Sequence, residues 1–204
     1  FLYGRIVLPM FYNFITGLAR GLLKHRICIE GAENIPQNGA AVLIANHRHA
    51  FDPIAMGLVT KRPVHFLAKK ELFSKKFSRW FLLKLLCIPI DRENMDRAAI
   101  RESVNVLEQG GFLGVFPEGT RSHTGELLPF KSGVSFIASQ SACVIVPMAI
   151  ENSERIFSLF GPKVRVKIGT PFPYEALAGE KRRQTLERMT HMQEDAVRAL
   201  LHQP

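Results

Sequence analysis

The chain has 204 residues, 47% of them hydrophobic, enough for one ordinary domain with a real core and unlike a disordered protein or a repeat array. Lysine and arginine number 27 against 18 acids, and the resulting net charge of +9 predicts an anionic partner: nucleic acid, a membrane surface or a phosphorylated substrate. Cys28, Cys87 and Cys143 lie far apart in mostly apolar settings without a C-x-x-C pair, so buried thiols in a reducing compartment are expected rather than a disulfide scaffold or a zinc site.

The sequence opens on Phe1 rather than methionine, the pattern expected when upstream residues are missing. From Phe1 to Leu23 it is apolar and aromatic, but the charge-free run Ile6 to Ala19 contains Pro9 and falls short of the roughly 20 residues a spanning helix needs. Residues 1–25 therefore read as a helical segment lying in the membrane interface, with Arg20, Lys24 and Arg26 at headgroup level; a core helix is the alternative. Residues 26–204 read as one α/β domain. It begins with a short strand over Arg26 to Glu30, a turn over Glu33 to Gly39, and an apolar strand over Ala40 to Ala45.

Asn46-His47-Arg48-His49-Ala50-Phe51-Asp52-Pro53 follows that strand. Positions five apart lie about 140° out of phase on a regular helix, so His47 and Asp52 can meet only across a bend. Asp52 before Pro53 supplies one, as an N-cap with proline in the first helical position, which sets the helix start at Pro53 and leaves His47 on the incoming loop. There the carboxylate can fix the imidazole tautomer and leave the other nitrogen as a base. His49, three residues from Asp52, competes for the same carboxylate, and Asp52 acting only as a cap is the plain alternative.

Val64 to Ala68 reads as a strand. Beyond it Lys69, Lys70, Lys75, Lys76, Arg79 and Lys84 interleave with Phe73, Phe77, Trp80, Phe81 and four leucines, against the single acid Glu71. Cations and rings of this kind suit an anionic lipid interface. A nucleic-acid surface is disfavoured, because the apolar residues are mostly aliphatic and the N-terminal segment has no role in it. Asn94 to Gln109 reads as a helix with Asn94 as a cap and Gly110-Gly111 as a stop. Phe112 to Val115 is a strand that delivers Phe116-Pro117-Glu118-Gly119-Thr120-Arg121-Ser122 past its carboxyl end, where open α/β sheets bind ligands. Gly119 allows close backbone approach, and Arg121 offers a fork suited to phosphate. Glu118 would repel phosphate and either holds Arg121 or accepts a bond from a substrate hydroxyl. Lys131 to Gln140 reads as a helix, Val144 to Ile150 as a strand, Val164 to Ile168 as a half-exposed strand with Arg165 and Lys167 outward, and 180–203 as an amphipathic helix. The alternation predicts an α/β fold, a central mixed sheet flanked by helices, with the N-terminal interfacial segment attached.

No G-x-S-x-G elbow, G-x-x-x-x-G-K-[ST] loop or H-E-x-x-H pair is present. The combination of Asn-His, four residues and Asp with Phe-Pro-Glu-Gly-Thr-Arg-Ser resembles the glycerolipid acyltransferases, in particular the bacterial 1-acylglycerol-3-phosphate acyltransferases. Weaker matches at Ala68 to Phe73, Ile88 to Arg92 and Val146 to Ile150 extend the likeness from about Gly31 to Gly169. The resemblance implies His47 and Asp52 as catalytic residues. It further implies a lysophosphatidate-like acceptor bound by Glu118, Gly119, Thr120 and Arg121, with Lys69 and Arg92 adding positive charge; Lys131 joins them from its place ten residues beyond Arg121. The donor would be an acyl thioester of coenzyme A or of acyl carrier protein, with no cofactor and no metal. The expected setting is the cytoplasmic face of the inner membrane, with no nucleic-acid partner. Arg48, His49 and Cys87 depart from the residues usual at those positions, which leaves another lysolipid, glycerol phosphate or a silent lipid-binding role as alternatives.

Overall fold

The structure is a computed structural model that describes residues 2–91 and 96–203, and for 2–9 the helical backbone alone. Helix α1 (Leu2–Leu23) is followed by β1 (Ile27–Glu30), β2 (Ala40–Ala45), α2 (Asp52–Leu58), β3 (Val64–Lys69), α3 (Lys76–Lys84) and β4 (Cys87–Ile90). Then come α4 (Arg97–Glu108), β5 (Phe112–Val115), α5 (Gly133–Ala138), β6 (Cys143–Glu151), β7 (Val164–Ile168), β8 (Phe172–Pro173) and α6 (Arg182–His202). The strands form one mixed sheet in the order β1-β7-β6-β2-β5-β3-β4, with β8 paired to β6. Strands β2 to β6 run parallel to one another, and β7 and β8 run antiparallel to β6.

Strand β2 lies at the centre because its sequence is apolar without interruption, as a strand covered on both faces requires. Its side chains alternate between two cores. Ala41, Leu43 and Ala45 join Leu23 of α1, Ala55 and Met56 of α2, and Ile156 on one face. Ala40, Val42 and Ile44 join residues of α4, α5 and α6 on the other. Leu43 is fully buried, so truncating it to alanine would cost about 2–5 kcal/mol. Helix α1 is fastened to this body by Tyr12 and Leu23, both buried, and by Arg20, whose guanidinium donates to Leu58 O and Thr60 O at the end of α2. Those carbonyls lack helical partners, and a cation is favoured there.

Several expectations need correction. Helix α2 starts at Asp52 rather than Pro53, with Phe51 in the capping position and no side-chain cap. Helix α5 is shorter than expected, and α4 begins at Arg97 with Asp96 accepting from Ala98 N and Ala99 N; Asn94 lies outside the described residues. Lys167 is buried rather than outward, its ammonium donating to Leu200 O and Gln203 O, the unpaired carbonyls at the end of α6. Cys28 is exposed, whereas burial pushes the Cys87 thiol up to about 12.

Candidate active site

Four adjacent parallel strands, β2, β5, β3 and β4, end along one edge of the sheet. The loop after β2 carries His47, the loop after β5 carries Glu118 to Arg121, and β3 ends on Lys69. Arg92, expected to add positive charge for the acceptor, lies outside the described residues.

His47 Nδ1 lies 2.8 Å from Asp52 Oδ2, the bend between them closing the gap that a regular helix would leave open. Asp52 is wholly buried. The same oxygen accepts the backbone N–H of Arg48 (2.7 Å) and of His49 (2.8 Å), and the Ser153 hydroxyl donates to Oδ1. The carboxylate thus turns back to the loop before it instead of capping its own helix. The competing imidazole is accounted for as well: His49 Nδ1 accepts Phe51 N at 3.3 Å, and only its backbone reaches Asp52.

The His47 ring stacks on Phe116 with centroids 4.2 Å apart. A tenth of its side chain remains exposed, and Nε2 has no partner among the described residues. With Nδ1 turned toward a buried carboxylate, Nε2 is the nitrogen left for a hydroxyl proton. The preceding residue holds the loop down: Asn46 donates to Ile150 O at 2.9 Å and accepts Ile150 N at 2.8 Å, continuing the β2–β6 pairing through a side chain.

Glu118 is buried, and each of its oxygens accepts a backbone N–H, His47 N at 2.5 Å and Leu128 N at 2.9 Å. The expectation that it holds Arg121 is not met, since no ion pair joins them among the described residues. Burial raises the Glu118 carboxyl above its ordinary value, against the pull of the Leu128 and His47 amides. Ser122 N donates to His47 O at 2.8 Å, so a main-chain bond joins the side-chain bond to Glu118 in tying the two loops together.

Around this buried centre lie exposed groups. Thr120, Arg121 and Lys131 face solvent, and Lys69 is exposed with Glu71 at 3.5 Å. Lys131 N donates to Pro117 O, and its side chain crosses Gly119 so closely that a Cβ there would sit 3.0 Å from Nζ. Gly119 has φ of 72°, a backbone conformation that calls for glycine, whereas the Lys131 side chain could shift aside. The structure therefore brings Glu118, Gly119 and Lys131 together beside His47. A cavity of about 370 Å³ adjoins them, lined by Leu67, Ile90, Ile100, Phe116, Ile137 and Leu186. Phe116 is the shared wall between it and the His47 ring.

Sequence reasoning left out Asn46, Phe116 and Ser153. The first two open the quoted motifs but were given no role there, and Ser153 has no local signal at all, since it meets Asp52 across 101 residues.

A family model described as acyltransferase matches residues 26–151. The 1-acyl-sn-glycerol-3-phosphate acyltransferase of Bacillus subtilis (strain 168) is 30% identical over 193 residues, covering 93% of this chain and 96% of that protein. The protein of the same name from Streptococcus pneumoniae is 32% identical over 169 residues, 79% of this chain and 62% of that one. Among solved structures, the 1-acyl-sn-glycerophosphate acyltransferase from Thermotoga maritima superposes with a TM-score of 0.71 at 24% identity, over 100% of this chain and 90% of that one. That likeness is one of fold.

Proposed function

The chain belongs to the acyltransferase family, and from that premise we propose that it transfers a fatty acyl group from a thioester donor to the free hydroxyl of 1-acyl-sn-glycerol 3-phosphate, giving phosphatidate in phospholipid biosynthesis. The observation that carries the reading is the 2.8 Å pair of His47 Nδ1 and Asp52, which leaves Nε2 free at the open edge of the sheet.

Nε2 takes the proton of the acceptor hydroxyl as its oxygen attacks the thioester carbonyl. Asp52 stabilises the imidazolium without taking its proton. The tetrahedral intermediate then collapses, the carbon–sulfur bond breaks, and the imidazolium returns the proton to the departing thiolate. An ester and a free thiol result, and no acyl-enzyme is needed. Arg121, Lys69 and Lys131 bind the acceptor phosphate, with Arg121 presenting two parallel donors. Glu118 acts by fixing the His47 backbone. The cavity behind Phe116 takes an acyl chain, since most of its lining is hydrocarbon, with Asp91, Asp96 and Lys131 as its charged members. Coenzyme A and acyl carrier protein thioesters both satisfy this chemistry.

The reaction takes place at a membrane surface. Met10, Phe14, Leu18 and Leu22, one stripe at four-residue spacing along α1, are 53–70% exposed, and Phe77 and Trp80 of α3 are also open to solvent. Phe11 meets Trp80 edge-on at 5.7 Å, which joins the two helices into one patch, and Lys75, Lys76, Arg79 and Lys84 lie along α3 and its first turn. Apolar rings and aliphatics ringed by cations suit an anionic leaflet. Among the described residues no helix is long and apolar enough to cross a membrane.

The test is acyl transfer by purified protein in detergent, with coenzyme A and acyl carrier protein thioesters offered to a panel of acceptors. Lysophosphatidate is expected to be consumed with release of one thiol per ester formed. Transfer to glycerol phosphate or a zwitterionic lysolipid alone would reassign the acceptor, and the absence of any transfer would reject the reading.

A further inference from the structure

The two large apolar side chains most open to solvent among the described residues belong to neither α1 nor α3. They are Leu159 (84% exposed) and Phe160 (83%), at the crest of the β6–β7 connection, with Phe157 (60%) beside them. A slack loop would fold such groups inward, and each would gain about 1.5–3 kcal/mol by burial. This one is built to hold them out. Asn152, at φ 59°, turns the chain into a short 3-10 turn over Ser153–Arg155, and Ile156 is wholly buried in the core. Ser158 N donates to Arg155 O and its hydroxyl to Phe160 O, which closes the crest on itself. The Arg26 guanidinium donates to Arg155 O, Gly161 O and Pro162 O, tying both feet of the loop together.

Position and charge say what covers the crest. Ile156 shares its core with Ala19 and Leu23 of α1, so the loop stands on the α1 face of the sheet. The clamp residue Arg26 follows the last turn of α1, where the exposed stripe ends at Leu22. Within 152–163 Arg155 and Lys163 are exposed, with Glu154 3.8 Å from Arg155, and the exposed Lys24 stands two residues before the clamp Arg26. Apolar tips rimmed by cations match a leaflet with anionic headgroups, the tips in the acyl region and the cations at the phosphates. The loop also leads to the site: Phe157 meets Phe51 edge-on at 5.1 Å, Phe51 precedes Asp52, and Ser153 donates to the Asp52 carboxylate.

We propose that residues 152–163 form a second membrane-inserting element, separate from the α1 and α3 patch, which dips Phe157, Leu159 and Phe160 into the leaflet beside the His47 and Asp52 pair. The inference rests on the membrane-surface reading above. Anchored at two places, the sheet edge is brought down to the layer that holds a lipid acceptor, so that a hydroxyl near the headgroup reaches Nε2 without the acceptor leaving the bilayer.

The chain has one tryptophan, Trp80, on α3. In the native protein it reports on the α1 and α3 patch; a Trp80→Phe, Phe160→Trp variant moves the only indole to the loop crest. Both proteins are added to phosphatidylcholine–phosphatidylglycerol vesicles containing brominated lipid. Blue shift and quenching of both probes are expected. Leu159→Ser with Phe160→Ser should weaken vesicle partitioning at least about tenfold while acylation of a short-chain, monomeric lysophosphatidate is unchanged, which also certifies the fold. Quenching of Trp80 but not of the probe at position 160 would overturn the proposal and leave the membrane reading standing. Absence of quenching from either would overturn both. A blue shift at position 160 that grows with protein concentration in vesicle-free buffer would assign the crest to a second copy of the chain and overturn the proposal.

Discussion

His47 and Arg121 sit on loops joined by a main-chain hydrogen bond, yet their surroundings are opposite. Around His47 almost everything is buried and bonded: Asp52 has four donors, Glu118 two, and Asn46 is paired twice with Ile150. Arg121 is exposed and makes no hydrogen bond or ion pair among the described residues, and Thr120 and Lys131 are exposed beside it. The contrast fits the two roles proposed above, a base at His47 and a phosphate ligand at Arg121. A base has to hold its geometry before substrate arrives, because a misplaced proton acceptor loses most of its effect. A guanidinium that awaits a phosphate does better without an internal partner, since any such pair would have to be broken on binding.

Removing the buried half has the largest expected effect. His47→Ala should lower kcat by roughly 10² to 10⁴ with KM little changed, because the group acts on a proton in flight rather than on the bound acceptor. Steady-state kinetics in detergent measures the split, and an unchanged kcat would dissolve the contrast between the two halves. Arg121→Ala should do the reverse. Losing a charge-assisted pair to phosphate, about 1.5–3 kcal/mol, raises KM for the acceptor some 10- to 100-fold and leaves kcat within a few-fold. If kcat fell as far as in the His47 variant, Arg121 would belong with the chemistry and the two halves would be one.

How far these halves could be read in advance differs too. Strand β2 matches its expected bounds because a six-residue apolar run between turn residues has one reading. The pair of His47 and Asp52 was legible because Asp-Pro marks a bend, although the same logic made Asp52 a cap for its own helix. What it lacked was the donor supply, two amides upstream and a hydroxyl 101 residues downstream, which only tertiary structure reveals. Proximity along the chain offers Glu118 either Arg121 or a substrate hydroxyl, while the partners it has are backbone groups brought in by folding. The alternation that put Lys167 in solvent failed because the end of α6 needs a donor there. The crest of Phe157, Leu159 and Phe160 leaves no mark in the sequence, because three apolar residues in a loop carry no period.

Glu118 offers the finest test of the contrast, because it is the buried carboxylate whose partners are all main chain. Glu118→Gln keeps the size of the side chain and one good acceptor, but its amide nitrogen must face the N–H of either His47 or Leu128. A buried donor left without a partner costs about 1–3 kcal/mol, to be read by urea unfolding. The pH dependence sharpens this. Burial raises the folded-state value above the ordinary one, so the folded protein holds this proton more tightly than the unfolded chain. By linkage the stability so contributed is complete below the unfolded value, near 4.5, and is lost as pH rises from there through the raised folded value. Glutamine does not titrate. The stability gap between native protein and variant should therefore be widest near pH 4 and narrow toward neutrality, with other titrating groups cancelling in the difference. A gap that widened with pH would mean that the two amides hold the carboxylate more strongly than burial expels it, and the loop under His47 would then be fastened by charge rather than in spite of it.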